Sequence, residues 1–177
     1  MKSYFAFIIL ISIQSALSQQ KDTISVIELK QEIKLGAIKM LAGPIFEASY
    51  EHIPNTKTGY GGYLTVNLAK GNEFIENYSL TPFYRMYFQN KKDYGLSGFF
   101  VEGFTSFYNG DNEVYTQNIE YKFEDFFDIS LGLSIGKKWV NTAGFIFELK
   151  IGGGRNLLGQ DNNPGLFKGD AYIGYRF

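Results

Sequence analysis

The chain is 177 residues long, with 17 Lys and Arg against 18 Asp and Glu and a formal net charge of −1, so it offers no broad basic surface for nucleic acid. It has no Cys, which excludes disulfides, a zinc–thiolate centre, a cysteine nucleophile and lipid attachment through a lipobox. Aromatics and glycine are abundant, with 17 Phe, 13 Tyr and 20 Gly against 4 Pro, a composition suited to strands and tight turns.

At the start of the chain, Lys2 supplies a positive charge and residues 4–13 are an apolar run. Ala16-Leu17-Ser18 then places small residues before Gln19. Residues 1–18 read as a cleaved signal peptide, too short and wrongly flanked for a membrane-spanning helix. Residues 19–31 are expected to be a periplasmic lead-in and 32–177 an outer-membrane β-barrel. Past residue 18 no apolar run approaches 18 residues. A membrane-embedded chain of this kind must close into a barrel, because only closure pairs every backbone amide in lipid.

Alternation and turn residues predict eight strands, at 33–40, 44–52, 60–68, 79–88, 98–107, 128–138, 145–153 and 170–177. The expected fold class is all-β, an eight-stranded antiparallel up-and-down transmembrane barrel, the size that side chains alone can fill. With the N-terminus in the periplasm, the two longest gaps, 108–127 and 154–169, follow the fifth and seventh strands and fall outside, where such barrels carry longer loops. Leu41-Ala42-Gly43 makes a short first outer loop. Tyr60, Phe88, Trp139 and Phe177 would line the periplasmic rim, and Tyr78, Phe107 and Tyr108 the outer one.

Charges within the strands fall opposite the apolar face. Arg85 opposes Tyr84 and Met86, Glu102 opposes Phe99 and Val101, and Glu148 and Lys150 alternate with Phe147, Leu149 and Ile151. Glu47 opposes Phe46 and Ala48, and Arg176 opposes Tyr175. A lipid-facing charge at the bilayer midplane costs about 2–4 kcal/mol, so these six residues are expected to point inward and pair as a structural network. Phe83, Phe100 and Phe104 share that inward face and would fill the lumen, against a wide aqueous pore. The sixth strand separates Ser130, Gly132, Ser134 and Gly136 from Ile129, Leu131, Leu133 and Ile135.

Catalytic signals are sparse. His52 is the single histidine, too few for a histidine metal cluster, and it sits at the periplasmic end of the second strand without the neighbouring Ser of a lipid-hydrolysing site. Gly152-Gly153-Gly154-Arg155 lacks the Gly-Lys-Ser/Thr of a phosphate loop. Asp111-Asn112-Glu113 and Asp161-Asn162-Asn163 carry oxygen ligands without the spacing of a calcium loop and read as turns. Asn77-Tyr78-Ser79 matches a glycosylation sequon but carries little weight here. No catalytic residue, cofactor or metal site is assigned, and no enzyme activity is expected.

The closing segment Ala171-x-Ile173-x-Tyr175-x-Phe177 alternates one apolar and one polar face and ends on an aromatic. With the strand number, loop parity and inward charges, it resembles the small eight-stranded outer-membrane barrels, the class of the OmpA transmembrane domain. The stretches Ser79-Leu80-Thr81-Pro82-Phe83-Tyr84-Arg85 and Gly153-Gly154-Arg155-Asn156-Leu157 are also similar to a group of small barrels with no assigned activity. The resemblance implies a monomer embedded in outer-membrane lipid, inserted by the barrel-assembly machinery, which reads Ile173, Tyr175 and Phe177 as its signal. A structural role is expected, or an adhesive one through an extracellular partner at 108–127 and 154–169. The alternatives are a lipid-modifying barrel enzyme and a soluble periplasmic carrier of an apolar ligand in the lipocalin manner.

Overall fold

The computed structural model describes residues 28–55, 57–69, 74–88, 97–115, 121–160 and 164–177, with the side chains of 112–115 and 121–124 not among them. The expected signal peptide, the expected lead-in up to residue 27 and Asp161-Asn162-Asn163 lie outside the described residues. Eight strands, β1 (Gln31–Gly36), β2 (Ile45–His52), β3 (Thr58–Asn67), β4 (Tyr78–Tyr87), β5 (Gly98–Tyr115), β6 (Tyr121–Val140), β7 (Phe145–Asn156) and β8 (Gly165–Arg176), pair antiparallel in sequence order and close into a barrel. The closing seam joins β1 to β8, with Glu32 opposite Arg176, Ile33 opposite Tyr175 and Leu35 opposite Ile173. Beyond it, Gln31 and Phe177 exchange backbone hydrogen bonds of 3.1 and 2.8 Å, so the ladder is paired to its end.

Strict alternation governs which side chains meet the interior. On β4 every second residue from Ser79 to Tyr87 is buried, and Tyr78, Leu80, Pro82, Tyr84 and Met86 point outward. On β6, Ser130 and Ser134 are buried, whereas Leu133 and Ile135 are 66% and 60% exposed. This parity follows from the period of two along a strand.

Two corrections concern the rim opposite the chain termini. The first expected strand does not run through 40. β1 ends at Gly36, and a short helix, α1 (Ile38–Ala42), follows at the rim before β2, with Lys39 as its buried residue. Its start is held by the Asp170 carboxylate, which accepts a 2.8 Å hydrogen bond from the Ile38 backbone N–H. The expected outer loops are also shorter than the gaps suggested. β5 and β6 remain paired from Gly98 opposite Lys138 out to Tyr115 opposite Tyr121, so most of 108–127 is a two-stranded ribbon. β7 and β8 pair as far as Arg155 opposite Gly165, which leaves a short connection in place of 154–169. Tyr108 is accordingly buried against Phe126 and Leu166 and is no rim aromatic.

At the rim carrying the termini, a tight turn joins β6 to β7. The Asn141 side chain accepts hydrogen bonds from the Ala143 and Phe145 backbone at 3.0 and 2.9 Å, an Asx turn, and Gly144 completes it at φ +88°. Exposed rings gather here: His52 lies 5.3 Å from Tyr60, Trp139 5.5 Å from Phe147 and Phe145 5.6 Å from Tyr175.

Inside, the barrel is asymmetric. Large rings from β4 and β5 lean onto a wall of small residues on β6. A Cβ at Gly132 would stand 2.5 Å from the Phe104 ring and 2.4 Å from the Gly153 carbonyl oxygen. Since the carbonyl belongs to the paired ladder, the clash cannot relax by a rotamer change. Gly132→Ala is expected to cost about 1–3 kcal/mol of unfolding free energy in urea. Gly62→Ala, whose added Cβ would meet only the Thr81 carbonyl oxygen at 3.7 Å, should cost much less. Equal midpoints for the two variants would refute this packing.

Candidate functional site in the barrel interior

All eight strands contribute to one layer of buried polar groups. At its centre Arg85, on β4, is fully buried. Its Nε lies 2.6 Å from Glu102, one Nη 2.9 Å from Glu51 and the other 2.7 Å from Glu148. The planar guanidinium presents several donors in fixed directions and so can serve carboxylates from three strands at once. The Phe100 and Phe83 rings cover it, their centres 4.2 and 4.6 Å away.

Around this centre Lys34 on β1 donates to both Glu51 and Glu148 at 2.8 Å. Lys138 on β6 bridges Glu32 at 2.8 Å and Glu51 at 3.3 Å. Lys150 on β7 reaches Glu102 at 3.1 Å and lies 3.5 Å from the centre of the Tyr63 ring on β3. Arg176 on β8 bonds Glu32 across the closing seam at 2.8 Å. Two phenols fill remaining acceptor positions: Tyr87 donates to Glu51 at 2.6 Å and Tyr63 to Glu102 at 2.9 Å. These carboxylates and cations are buried, and each meets a partner of opposite charge.

Glu47 belongs to a second layer nearer α1. It accepts from Lys39 at 2.5 Å and from Thr65 at 2.9 Å, and Tyr172 donates to its other oxygen. Burial by itself would lower the pKa of Lys39, but the Glu47 and Glu76 carboxylates outweigh it and hold the ammonium above its ordinary value. Lys39 thus ties α1 to the buried Glu47 of β2. Lys168 pairs with Glu76 beside it.

Of the six sequence-assigned charges, Arg85, Glu102, Glu148 and Lys150 form one connected cluster. Arg176 joins it through Glu32, and Glu47 stands apart in the α1 layer. Glu32, Lys34, Glu51 and Lys138 were missed by sequence reasoning, although parity could have found three of them. Lys34 alternates with Ile33 and Leu35, Glu51 shares the face of Glu47, and Lys138 continues the Ser130–Gly136 face. Ile173, Tyr175 and Phe177 stand on the outward face of β8, with Phe177 just past its end. His52 is half-buried at the rim against Tyr60, and among the described residues no His/Asp/Glu group is arranged to hold a metal.

Breaking such a cluster from one side leaves desolvated charge behind. Arg85→Met is expected to lower the unfolding free energy of the folded protein in micelles by about 3–5 kcal/mol, measured by urea titration. Adding Glu102→Gln and Glu148→Gln should lower it further, because Lys150 then loses the Glu102 carboxylate and Lys34 one of its two close carboxylates. A wild-type midpoint for Arg85→Met would show that the cluster is not the interior's anchor.

No protein-family model and no curated protein matches the chain. Among solved structures it is similar to the N-terminal β-barrel domain of Pseudomonas aeruginosa OprF, with a TM-score of 0.54 and 10% sequence identity, covering 87% of this chain and 100% of that one. At that identity the likeness is one of fold. The chain is an eight-stranded antiparallel up-and-down β-barrel, the architecture of the OprF domain and of the OmpA class named from the sequence.

Proposed function

We propose that the protein is an integral outer-membrane β-barrel of structural type, a monomer whose interior is plugged by its own side chains. One observation carries this reading: the barrel is inside out relative to a soluble one. Leu131, Leu133, Ile135, Phe145 and Ile151 are more than half exposed, and Arg85, Glu51, Glu148 and Lys138 are fully buried. Water would penalise the first set and reward exposure of the second. Lipid reverses the outer preference and requires the closure that the β1–β8 seam supplies. A lipocalin-like carrier needs an apolar interior to hold its ligand, and this interior is ionic. A histidine-based lipid hydrolase finds its one histidine at the rim beside Tyr60 rather than beside an inward Ser.

The lumen layers favour a plug over a pore. Arg85 with its carboxylates, the rings of Phe83, Phe100 and Phe104, and the Lys39–Glu47 contact under α1 stack along the axis. An adhesive contribution is supported by the β5–β6 ribbon. β5 pairs with β4 only as far as Asn109, and β6 with β7 only from Ser130, so the ribbon beyond them is strand-paired only within itself, its base anchored by Phe126 against Leu166 and by Asp128. The outward residues Ile173, Tyr175 and Phe177 of the closing strand are assigned to recognition by the barrel-assembly machinery.

Two measurements test the reading. Membrane-extracted protein should resist sarkosyl and migrate differently on a gel before and after boiling, and planar bilayers should show no conductance above background. A soluble protein without a heat shift would refute membrane insertion, and steady conductance would refute the plug. Phe177→Ala should lower the amount of folded protein in the outer membrane. Wild-type levels would remove this residue from the assembly signal.

A further inference from the structure

Lys137 departs from the rule that charges on the barrel wall face inward. It lies on the outward face of β6 between Ile135 and Trp139, with Phe99 of β5 and Leu149 of β7 as register partners. Its Nζ is 4.9 Å from the centre of the Phe99 ring and 4.9 Å from that of Trp139. Among the described residues, the ammonium thus meets rings and no carboxylate. Its position is at the rim that carries the chain termini: β5 begins at Gly98, opposite Lys138, and β6 ends at Val140. A long cationic side chain at that depth can extend to the polar interface at far lower cost than at the midplane.

Beside Lys137 an open groove of about 690 Å³ crosses the outer wall. Phe88, Phe99, Ile135, Leu149, Ile151 and Phe167 line it, with Lys137 at one end. Gly169, opposite Ile151, adds no side chain to the wall there. The groove runs from the aromatic rim towards the opposite one, along the direction an acyl chain takes in a bilayer.

The geometry points to a phospholipid site on the barrel exterior, in which the groove holds an acyl chain and Lys137 binds the phosphate of an anionic headgroup of the phosphatidylglycerol class. Charge complementarity selects this occupant. A zwitterionic headgroup brings its own ammonium, which competes with Lys137 for the phosphate, and an anionic one does not. The rings of Phe99 and Trp139 hold the lysine in place and leave its remaining N–H donors for phosphate oxygens. This inference rests on the membrane reading above.

Trp139 is the chain's one tryptophan, so its fluorescence reports the lipid at this site alone. The purified folded protein is reconstituted in vesicles of brominated phosphatidylcholine, which quenches it, with increasing unbrominated phosphatidylglycerol. The expected result is a preference of about fivefold for phosphatidylglycerol over phosphatidylcholine. K137Q should abolish that preference and K137R retain it, both with the wild-type heat shift. Equal association of the two lipids with the wild type, or a preference that survives in K137Q, would overturn the site. Wild-type protein that bromolipid does not quench and that shows no heat shift would overturn the membrane reading itself, and the site with it.

Discussion

The Arg85 guanidinium and the three carboxylates it serves are the interaction on which the remaining structure depends. Arg85 draws β2, β5 and β7 to a point through Glu51, Glu102 and Glu148. Lys34, Lys138 and Lys150, from β1, β6 and β7, bring further cations to the same carboxylates. Burying these ions is costly, and their mutual attraction does little more than offset that cost. Their value is in geometry. Any slip of one strand by a residue would turn its charges outward and its apolar face inward, so the cluster penalises every wrong register at once.

The same constraint explains the uneven interior. The Phe100 and Phe104 rings, the first of them covering the Arg85 guanidinium, need room on the adjoining strand, where their register partners are Gly136 and Gly132. A Cβ at Gly136 would stand 2.4 Å from the Phe100 ring. Large rings on β5 and bare backbone beside them on β6 are therefore two halves of one packing solution. The closing seam pairs charge inside with apolar side chains outside in the same way, with Arg176 and Glu32 facing each other inward and Ile33 and Tyr175 facing outward.

Much of this was legible in the sequence, because apolar residues on one face and charged ones on the other leave a clear period of two along each strand. Arg85, Glu102, Glu148 and Lys150 could be placed inward from their neighbours alone. What could not be read depends on contacts distant in the chain. α1 forms where Asp170, 132 residues away, holds the Ile38 N–H; Ala37, Lys39, Met40, Leu41 and Ala42 favour a helix locally, but so short a run does not form one without that contact. The β5–β6 ribbon was read as a loop because its residues leave the apolar band. Alternation of apolar residues reports an apolar outer face rather than strand geometry, and Asn109, Asp111 and Asn112 remain extended without it. Lys137 escaped notice for the converse reason, since its aromatic neighbours Phe99 and Trp139 hide a charge on an otherwise greasy face.

The central claim is that the apolar outer band lies in lipid, and a depth profile along β6 tests it most directly. Single cysteines placed at Leu131, Leu133 and Ile135 in this cysteine-free chain can each carry a spin label, whose collisions with dissolved oxygen and with a water-soluble nickel chelate are then compared in vesicles. The account predicts frequent collisions with oxygen and few with the chelate at all three positions. Free access of the chelate to all three would contradict it, because the band would then face water.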